Sequence, residues 1–537
     1  MIFVNQAGYS EKGVKCATIT SSSQYELHSG DGRVVKSGEV SLSFDENCGC
    51  DAGLIDFSDI TVAGTYYFTD GEGNKSCSFV IADDHYDEAL TAAIKMFYYQ
   101  RCGMELEEKY AGRFKRKACH VCDAFDLLNP DRKVKMHGGW HDAGDFGRYV
   151  TAAAVAVAHL LYGFELERRE LTIDVNIPES GGKYPDLLAE CRYELDWMLL
   201  MQEEDGSVHH KCTSLKFCDF IMPADDDLPV TVTPVSSLAT ADFAAVMLLA
   251  ARVYKEFDEE YAGVLKAAAL KSWQWLIDNP AFIFENPKNV LTGAYYDRCD
   301  ADERVWAAME VYRSEKDEKA KFVILDTMEL KLNMTALGWA DVGGFASLCC
   351  LMGGEEVFGT DLYNRLKIKW MDEADRLKAL SESNAFGLTL RPREFTWGSN
   401  MVVLMNAMIL CYAHEMSGDC SYLEAAKAQL DYIFGRNAMD VSYVTGIGEK
   451  AFRDPHNRPG IADGIDDPIP GFVSGGPNFR PCDEAANPGN MGDKPAMCRY
   501  ADNKLSYSTN EITIYWNSPL VFVLGYIKKI CSKHREA

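Results

Sequence analysis

Two aspartates three positions apart, Asp142 and Asp145, stand in a glycine-bracketed segment, GGWHDAGDFGRY at residues 138–149. On a helical turn that spacing puts both carboxylates on one side. Such a pair can share one water, one carboxylate accepting its proton while the other orients it, which is the work of a general base. A helix N-cap at Asp142 with a solvated charge at Asp145 is the competing reading. A third acid, Glu511, opens an otherwise apolar helical stretch within SYSTNEITIYWNSPL, residues 506–520. Apolar surroundings disfavour the charged carboxylate, raise its pKa and suit a general acid. A capping-box glutamate three residues after Ser508 would leave the same trace. The segment FRDPHNRPG at 452–460 adds His456 and Arg458, side chains able to donate to hydroxyl groups, or simply to sit in a polar surface loop.

Metal chemistry is available in two places. Cys102, Cys119, His120 and His141 combine two thiols with two imidazoles, a set that suits tetrahedral zinc. Their spacing is not that of a zinc finger, and unligated cysteine and histidine remain the other reading; Cys122 is a spare thiol close by. Because His141 adjoins Asp142, a zinc here would anchor the aspartate loop, and four protein ligands would make it structural. Asp297, Asp302, Glu303 and Asp341 are hard oxygen ligands that could converge on calcium from two loops; acids favoured at a helix N-terminus explain them equally well. Trp140, Tyr295, Tyr296, Trp306, Trp339, Trp397, Tyr507 and Trp516 lie near these segments and could offer flat apolar faces to a ligand, although Trp516, inside the last helix, reads as core. No fingerprint of an organic cofactor is present.

The elements that must hold these residues fall into two kinds. Up to about residue 82, short alternating segments such as Cys16 to Thr20, Tyr25 to His28 and Thr65 to Phe68 are separated by turn pairs, the pattern of a small antiparallel β-sandwich. Beyond Tyr86 the period becomes helical, with twelve stretches near 86–101, 149–166, 184–203, 237–257, 259–278, 302–313, 317–331, 336–352, 358–380, 397–416, 420–435 and 511–532. Twelve successive helices imply six hairpins, and the lack of a fixed repeat favours a closed (α/α)6 barrel over a solenoid. Irregular segments at 103–148, 204–236, 279–301, 381–396 and 436–510 are long enough to build a site. A chain of 537 residues exceeds one ordinary core, so domains at 1–83 and 84–537 are expected. The net charge of -27 disfavours nucleic acid and anionic membranes as partners. No stretch approaches 18 apolar residues free of charge, so no membrane span is expected. The 18 scattered cysteines form no disulfide framework and favour a reducing compartment. That makes the protein cytoplasmic if Met1 is the native start, or secreted if a leader has been trimmed away.

Several segments, taken in order, resemble glycoside hydrolase family 9. They are PVSSLATADFAAVMLLAARVY (234–254), WGSNMVVLMNAM (397–408), YVTGIG (443–448), DPHNRPG, GFVSGGPN (471–478) and YADNKLSYSTNEITIYWNSPL (500–520), together with GGWHDAGDFGRY. VNQAGY at 4–9 resembles the immunoglobulin-like module that precedes the barrel in one branch of that family. The resemblance implies an all-β immunoglobulin-like sandwich followed by an all-α (α/α)6 barrel, and hydrolysis with inversion of β-1,4-glucan chains such as cellulose or cello-oligosaccharides. An exo-acting hydrolase of cellodextrins or glucosamine-containing chitosan oligosaccharides is the alternative. It further implies Asp145 as general base, Asp142 as holder of the attacking water and Glu511 as the acid. His456 and Arg458 match sugar-contacting positions, Asp502 matches an aspartate that supports the acid, and Trp397 and Tyr507 are expected beside the substrate. Many relatives carry a second histidine where this chain has Asn457. Members with the immunoglobulin-like module resemble the chain at Cys102, Cys119, His120 and His141, which implies a structural zinc. The stretches around Asp302-Glu303 and Asp341 resemble a calcium site. A monomer is expected.

Overall fold

The computed structural model describes residues 1–536. Eight strands come first, with buried and more exposed side chains alternating in the third, seventh and eighth: β1 Ile2–Phe3, β2 Cys16–Thr20, β3 Gln24–Ser29, β4 Val34–Glu39, β5 Ser43–Asp45, β6 Cys50–Asp56, β7 Gly64–Asp70 and β8 Phe79–Ile81. They form two four-stranded sheets, ordered β1-β2-β6-β5 and β4-β3-β7-β8, with antiparallel pairing throughout. Ile19 and Ile55 from the first sheet meet Leu27 and Phe68 from the second in one core, where Tyr9 and Phe68 set their rings edge-on to Phe57.

Twelve helices of ten or more residues follow, at Asp87–Gln100, Val150–Glu167, Asp186–Leu200, Ser237–Tyr254, Glu259–Asp278, Ala301–Glu315, Glu318–Thr327, Gly343–Gly353, Thr360–Glu382, Ser399–Ser417, Cys420–Ile433 and Ile514–Glu536. Two start more than two residues later than the periodicity predicts. The helix predicted from 336 begins at Gly343, and the one predicted to open on Glu511 begins at Ile514, leaving Glu511 extended at φ -69 and ψ 160. Val150–Glu167 and Ser237–Tyr254 are long and apolar enough to cross a bilayer by length and composition, but 89% and 94% of them is buried inside the protein, so they are core helices. No disulfide occurs among the described residues, and Cys349, Cys350 and Cys411 are buried as small apolar groups.

The chain divides into two compact units, one made of Met1–Met96 with Ala374–Ala537 and the other of Phe97–Glu373. In the first, the VNQAGY segment ties the sandwich to the helices. Asn5 Nδ2 donates to Asp431 Oδ1 at 2.9 Å and to the Tyr86 hydroxyl at 2.8 Å, and the Gln6 amide donates to the Phe434 carbonyl at 2.8 Å. Helix Ser399–Ser417 packs on Cys420–Ile433 and Ile514–Glu536. In the second unit, Ser237–Tyr254 lies against Val150–Glu167, Glu259–Asp278 and Ala301–Glu315. Its first turn is capped by the Ser236 hydroxyl, which accepts from the Ala239 amide at 3.1 Å. Within segments read as irregular, the second unit also builds a five-stranded sheet: β9 Ala124–Asp126, β10 Lys133–Val134, β11 Arg148–Tyr149, β12 Lys211–Ser214 and β13 Val230–Val232, ordered β10-β9-β13-β12-β11. Strands of two to four residues carry too little alternation to be seen in sequence.

Candidate active site

The aspartate segment is a loop rather than a helical turn, and its shape is fixed from outside. Gln100 Nε2 donates to the carbonyls of His141 and Ala143 at 3.0 Å each, while the His141 amide donates to the Gln100 carbonyl at 2.7 Å. The Trp140 amide donates to Glu194, and its indole N–H donates to Glu190 Oε2 at 3.3 Å. Arg148 Nη1 donates to the carbonyls of Met136 and Gly138. A side chain at Gly139, which has φ +75, would place its Cβ 2.8 Å from the Trp197 ring, so the close approach there requires glycine. The Asp142 amide donates to the Gly147 carbonyl at 2.9 Å and the Gly147 amide to Asp145 Oδ2 at 3.0 Å. Neither aspartate caps a helix; the next one starts at Val150 behind Tyr149.

Asp142 is 1% exposed, and burial, followed by the neighbouring charge of Asp145, pushes its pKa well above the usual carboxylate range. Its Oδ2 accepts from the Tyr295 hydroxyl at 2.6 Å, while Oδ1 is buried without a partner. Tyr295 is a residue that sequence reasoning placed only among possible platforms. Its backbone sits at φ 44, and its ring is wedged between Tyr149 at 4.6 Å and Trp339 at 5.0 Å. Lys211, which opens β12, was not anticipated at all: a single lysine between His210 and Cys212 gives no signal. Its buried ammonium donates to the Gly293 carbonyl at 2.5 Å and to Thr292 Oγ1 at 3.2 Å, two and three residues before Tyr295. Burial pushes the Lys211 pKa down to about 7, opposed by the charge of Asp145.

Glu511 lies between the short helix Tyr507–Asn510 and the long helix that starts at Ile514. Its segment bridges in parallel to His456: the His456 amide donates to the Asn510 carbonyl at 2.9 Å, and the Glu511 carbonyl accepts from Gly475 at 2.9 Å. The capping-box reading fails because Glu511 precedes the helix. Asp502 is exposed; its oxygens accept from the amides of Arg453 and Asp454 at 2.8 and 2.9 Å and from Asn510 Nδ2 at 3.1 Å. It therefore braces the backbone on the His456 side and the residue directly before Glu511. Asn457 is the N-cap of the helix Arg458–Ala462, accepting from the Gly460 amide at 3.0 Å, which accounts for asparagine at that position. Arg458 is mostly buried. Trp397 and Tyr507 are 46% and 36% exposed with ring centroids 5.4 Å apart, and His456 lies 6.1 Å from Tyr507. They form an aromatic face open to solvent. Trp140, Trp306 and Trp516 are buried in the core and offer no such face.

Cys102, Cys119, His120 and His141 converge, with one ligand atom from each lying within 4.8 Å of the others. Cys102 Sγ is 3.8 Å from His120 Nδ1, and Cys119 Sγ is 3.8 Å from His141 Nε2. Around a tetrahedral zinc, sulfur and nitrogen stand about 3.6 Å apart, so the spacing fits. Hydrogen bonding, first from Cys102, holds the Cys119 thiol far below its ordinary pKa, and burial pushes His141 down to about 4, which leaves its imidazole neutral. Cys122 is exposed and outside the group. The acidic cluster differs from the expected one. The carboxylates that converge are Asp297, Asp302 and Glu303, while Asp341 is exposed and stands outside that group, close enough only for its charge to be felt. Asp242, missed because it sits in an alanine-rich helix, is fully buried with both oxygens unpartnered; burial and the charges of Asp302 and Asp297 raise its pKa.

The glycosyl hydrolase family 9 model matches residues 86–524, and the cellulase N-terminal ig-like domain model matches residues 1–74. The chain belongs to glycosyl hydrolase family 9. It is 42% identical to a cellodextrinase of Butyrivibrio fibrisolvens, over 98% of this chain and 99% of that protein. It is 34% identical to endoglucanase D of Acetivibrio thermocellus, over 98% of this chain and 83% of the relative. Among solved structures, an endoglucanase from Alicyclobacillus acidocaldarius superposes with a TM-score of 0.93 at 36% identity, covering 98% and 99% of the two chains. A Zn-binding triple mutant of the family 9 endoglucanase J30 superposes with a TM-score of 0.90 at 30% identity, covering 96% of this chain and 99% of that one. The protein is therefore a glycoside hydrolase with an immunoglobulin-like module ahead of a helical catalytic domain.

Proposed function

We propose that this family 9 hydrolase cleaves β-1,4-glucan chains with inversion, acting on cellulose-type chains and cello-oligosaccharides, with its twelve helices closed as an (α/α)6 barrel. The observation that carries the reading is the Asp142–Asp145 loop, tied by Gln100, Glu194 and Arg148 into one shape with a hydroxyl on Asp142. Asp145 takes a proton from water as that water attacks the anomeric carbon, and Asp142, oriented by Tyr295, holds the water. Glu511 protonates the leaving oxygen. Inversion requires a separation of roughly 6.5–9.5 Å between base and acid, room for the water. His456, Arg458 and the Trp397–Tyr507 face bind sugar, and Asp502 steadies the Glu511 segment. The cellodextrinase among the relatives, matched along nearly its whole length, supports action on short soluble chains.

Zinc fits the four converging ligands as a closed structural site through Cys102 Sγ, Cys119 Sγ, His120 Nδ1 and His141 Nε2, and it would tie the Cys102 and Cys119 segments to the residue before Asp142. Calcium is proposed at Asp297, Asp302 and Glu303 with Asp242 beneath them. No organic cofactor is invoked, and the enzyme is proposed to work as a monomer.

Proton NMR of fresh cellotetraose hydrolysate tests the mechanism. The α-anomer should appear first, and Asp145→Ala and Glu511→Gln should each abolish turnover with the fold intact by circular dichroism. A β-anomer, or turnover retained by Asp145→Ala, overturns the assignment. Viscosity loss in carboxymethyl cellulose outpacing the release of reducing ends identifies endo action. Faster hydrolysis of chitosan oligomers than of cello-oligomers overturns the glucan reading.

A further inference from the structure

The hairpin between β12 and β13 carries a fifteen-residue connection, 215–229, whose surface is largely exposed. Its Asp226 side chain is an exception at 3% exposure, folded inward against His120, itself 4% exposed. Asp226 Oδ2 lies 3.3 Å from His120 Nε2, and Oδ1 accepts from the Leu228 amide at 3.1 Å. His120 has a left-handed backbone, φ 48, which costs a non-glycine residue on the order of 1–2 kcal/mol and persists only where surrounding contacts hold it. The contacts that hold its ring lie on opposite nitrogens: Nδ1 faces Cys102 Sγ, and Nε2 faces the Asp226 carboxylate.

A carboxylate on Nε2 fixes the tautomer, because Nε2 then carries the proton and donates it, leaving the Nδ1 lone pair toward the two sulfurs. The same carboxylate tethers the loop. Asp226 lines one small cavity together with Asp145, Gly147, Lys216, Phe217 and Cys218. Phe217 is 45% exposed and lines the same cavity as Asp145, so its apolar ring face is available to a ligand that reaches that aspartate.

We infer that Asp226 is the positioning carboxylate of the metal ligand His120, and that this contact makes loop 215–229 a metal-held wall of the sugar site, with Phe217 as its binding face. The inference rests on the proposed zinc site and on Asp145 as base, and adds to them a physical link between metal and substrate. Removing the metal frees His120, which frees Asp226, which releases the wall that carries Phe217.

Zinc affinity, measured by competition with a chromophoric chelator, and the KM and kcat for cello-oligosaccharides together test it. Asp226→Ala should lose about 10- to 100-fold in zinc affinity and raise KM with kcat nearly unchanged. Asp226→Asn, whose amide oxygen can still accept from Nε2–H, should recover part of both effects, and it serves as the informative variant if the alanine protein fails to fold. Phe217→Ala should raise KM about 2- to 10-fold, the worth of one aromatic contact, with zinc affinity unchanged. Alanine at the exposed neighbours Asp225 and Asp227 should alter neither quantity. Wild-type zinc affinity in Asp226→Ala overturns the link to His120, and an unchanged KM in both Asp226→Ala and Phe217→Ala overturns the wall. A wild-type protein that binds no zinc removes the zinc site itself, a failure separable from either of these.

Discussion

Replacing Tyr295 by phenylalanine deletes one oxygen atom and leaves the ring wedged between Tyr149 and Trp339. The lost oxygen is the hydroxyl that donates to Asp142 Oδ2 at 2.6 Å, and the other oxygen of Asp142 is already buried without a partner. Leaving a buried acceptor without its donor costs about 1–3 kcal/mol, and no water can replace the donor on a side chain that is 1% exposed. Spent on aiming the water, that energy appears in the barrier, so kcat should fall about 5- to 150-fold. KM should hardly move, because the ring and every apolar contact persist. The assay is initial-rate kinetics on cellotetraose, with thermal unfolding followed in parallel to exclude a folding defect. The competing role for Tyr295, a stacking platform, makes the opposite prediction: phenylalanine stacks as well as tyrosine, and kcat and KM would both stay near wild type. A kcat within twofold of wild type, or a loss confined to KM, would refute the orienting role.

Two other perturbations probe charges that the fold has buried. The Lys211 pKa of about 7 lies below the ordinary 10.5, so between those pH values the unfolded chain holds a proton that the native chain has released, and stability should rise with pH across that window by up to about 1.4 kcal/mol per unit. Lys211→Met should remove that slope in urea titrations at pH 7.5, 8.5 and 9.5, and parallel curves for the two proteins would show the lysine to be no source of it. Asp242→Asn neutralises a carboxyl with neither oxygen partnered. In chelator it should raise the melting temperature, because burying an ionisable carboxyl without partners costs stability whether it is held charged or forced to take up a proton, and in calcium it should shrink the stabilisation the ion gives; equal calcium-induced shifts in the two proteins would place Asp242 outside the site.

Twelve helices and a β-sandwich were legible because the helices and the longer strands have a clear period over enough residues to be counted. Six residues of alternation, as in Gln24–Ser29, suffice for a strand, and the alanine-rich repeats of Ser237–Tyr254 suffice for a core helix. What escaped was short or irregular. The five-stranded sheet beside the aspartate loop has strands of two to four residues, and Glu511 sits in an extended break between helices that its apolar neighbours disguise as a helix start. The metal groups were legible by residue type. In the acidic group, however, membership depended on a loop path that composition does not encode, so Asp297 belongs where Asp341 was also expected, and Asp242 arrives from a distant helix.

The residues that failed to announce themselves share a physical cause. A reacting carboxylate is recognisable because chemistry restricts its type, whereas the groups that aim it need only reach the right atom, and many sequences can supply one. Tyr295 reaches Asp142 from 153 positions away, and Lys211 supports Tyr295 through the carbonyls of Thr292 and Gly293. Glu194 reaches the same loop through a single amide at Trp140. Each contact is set by the packing of helices and the small sheet rather than by local pattern. Irregular backbone around Asp142 and Asp145 is thus held by regular elements, and the precision of the loop should depend on side chains that a motif search passes over.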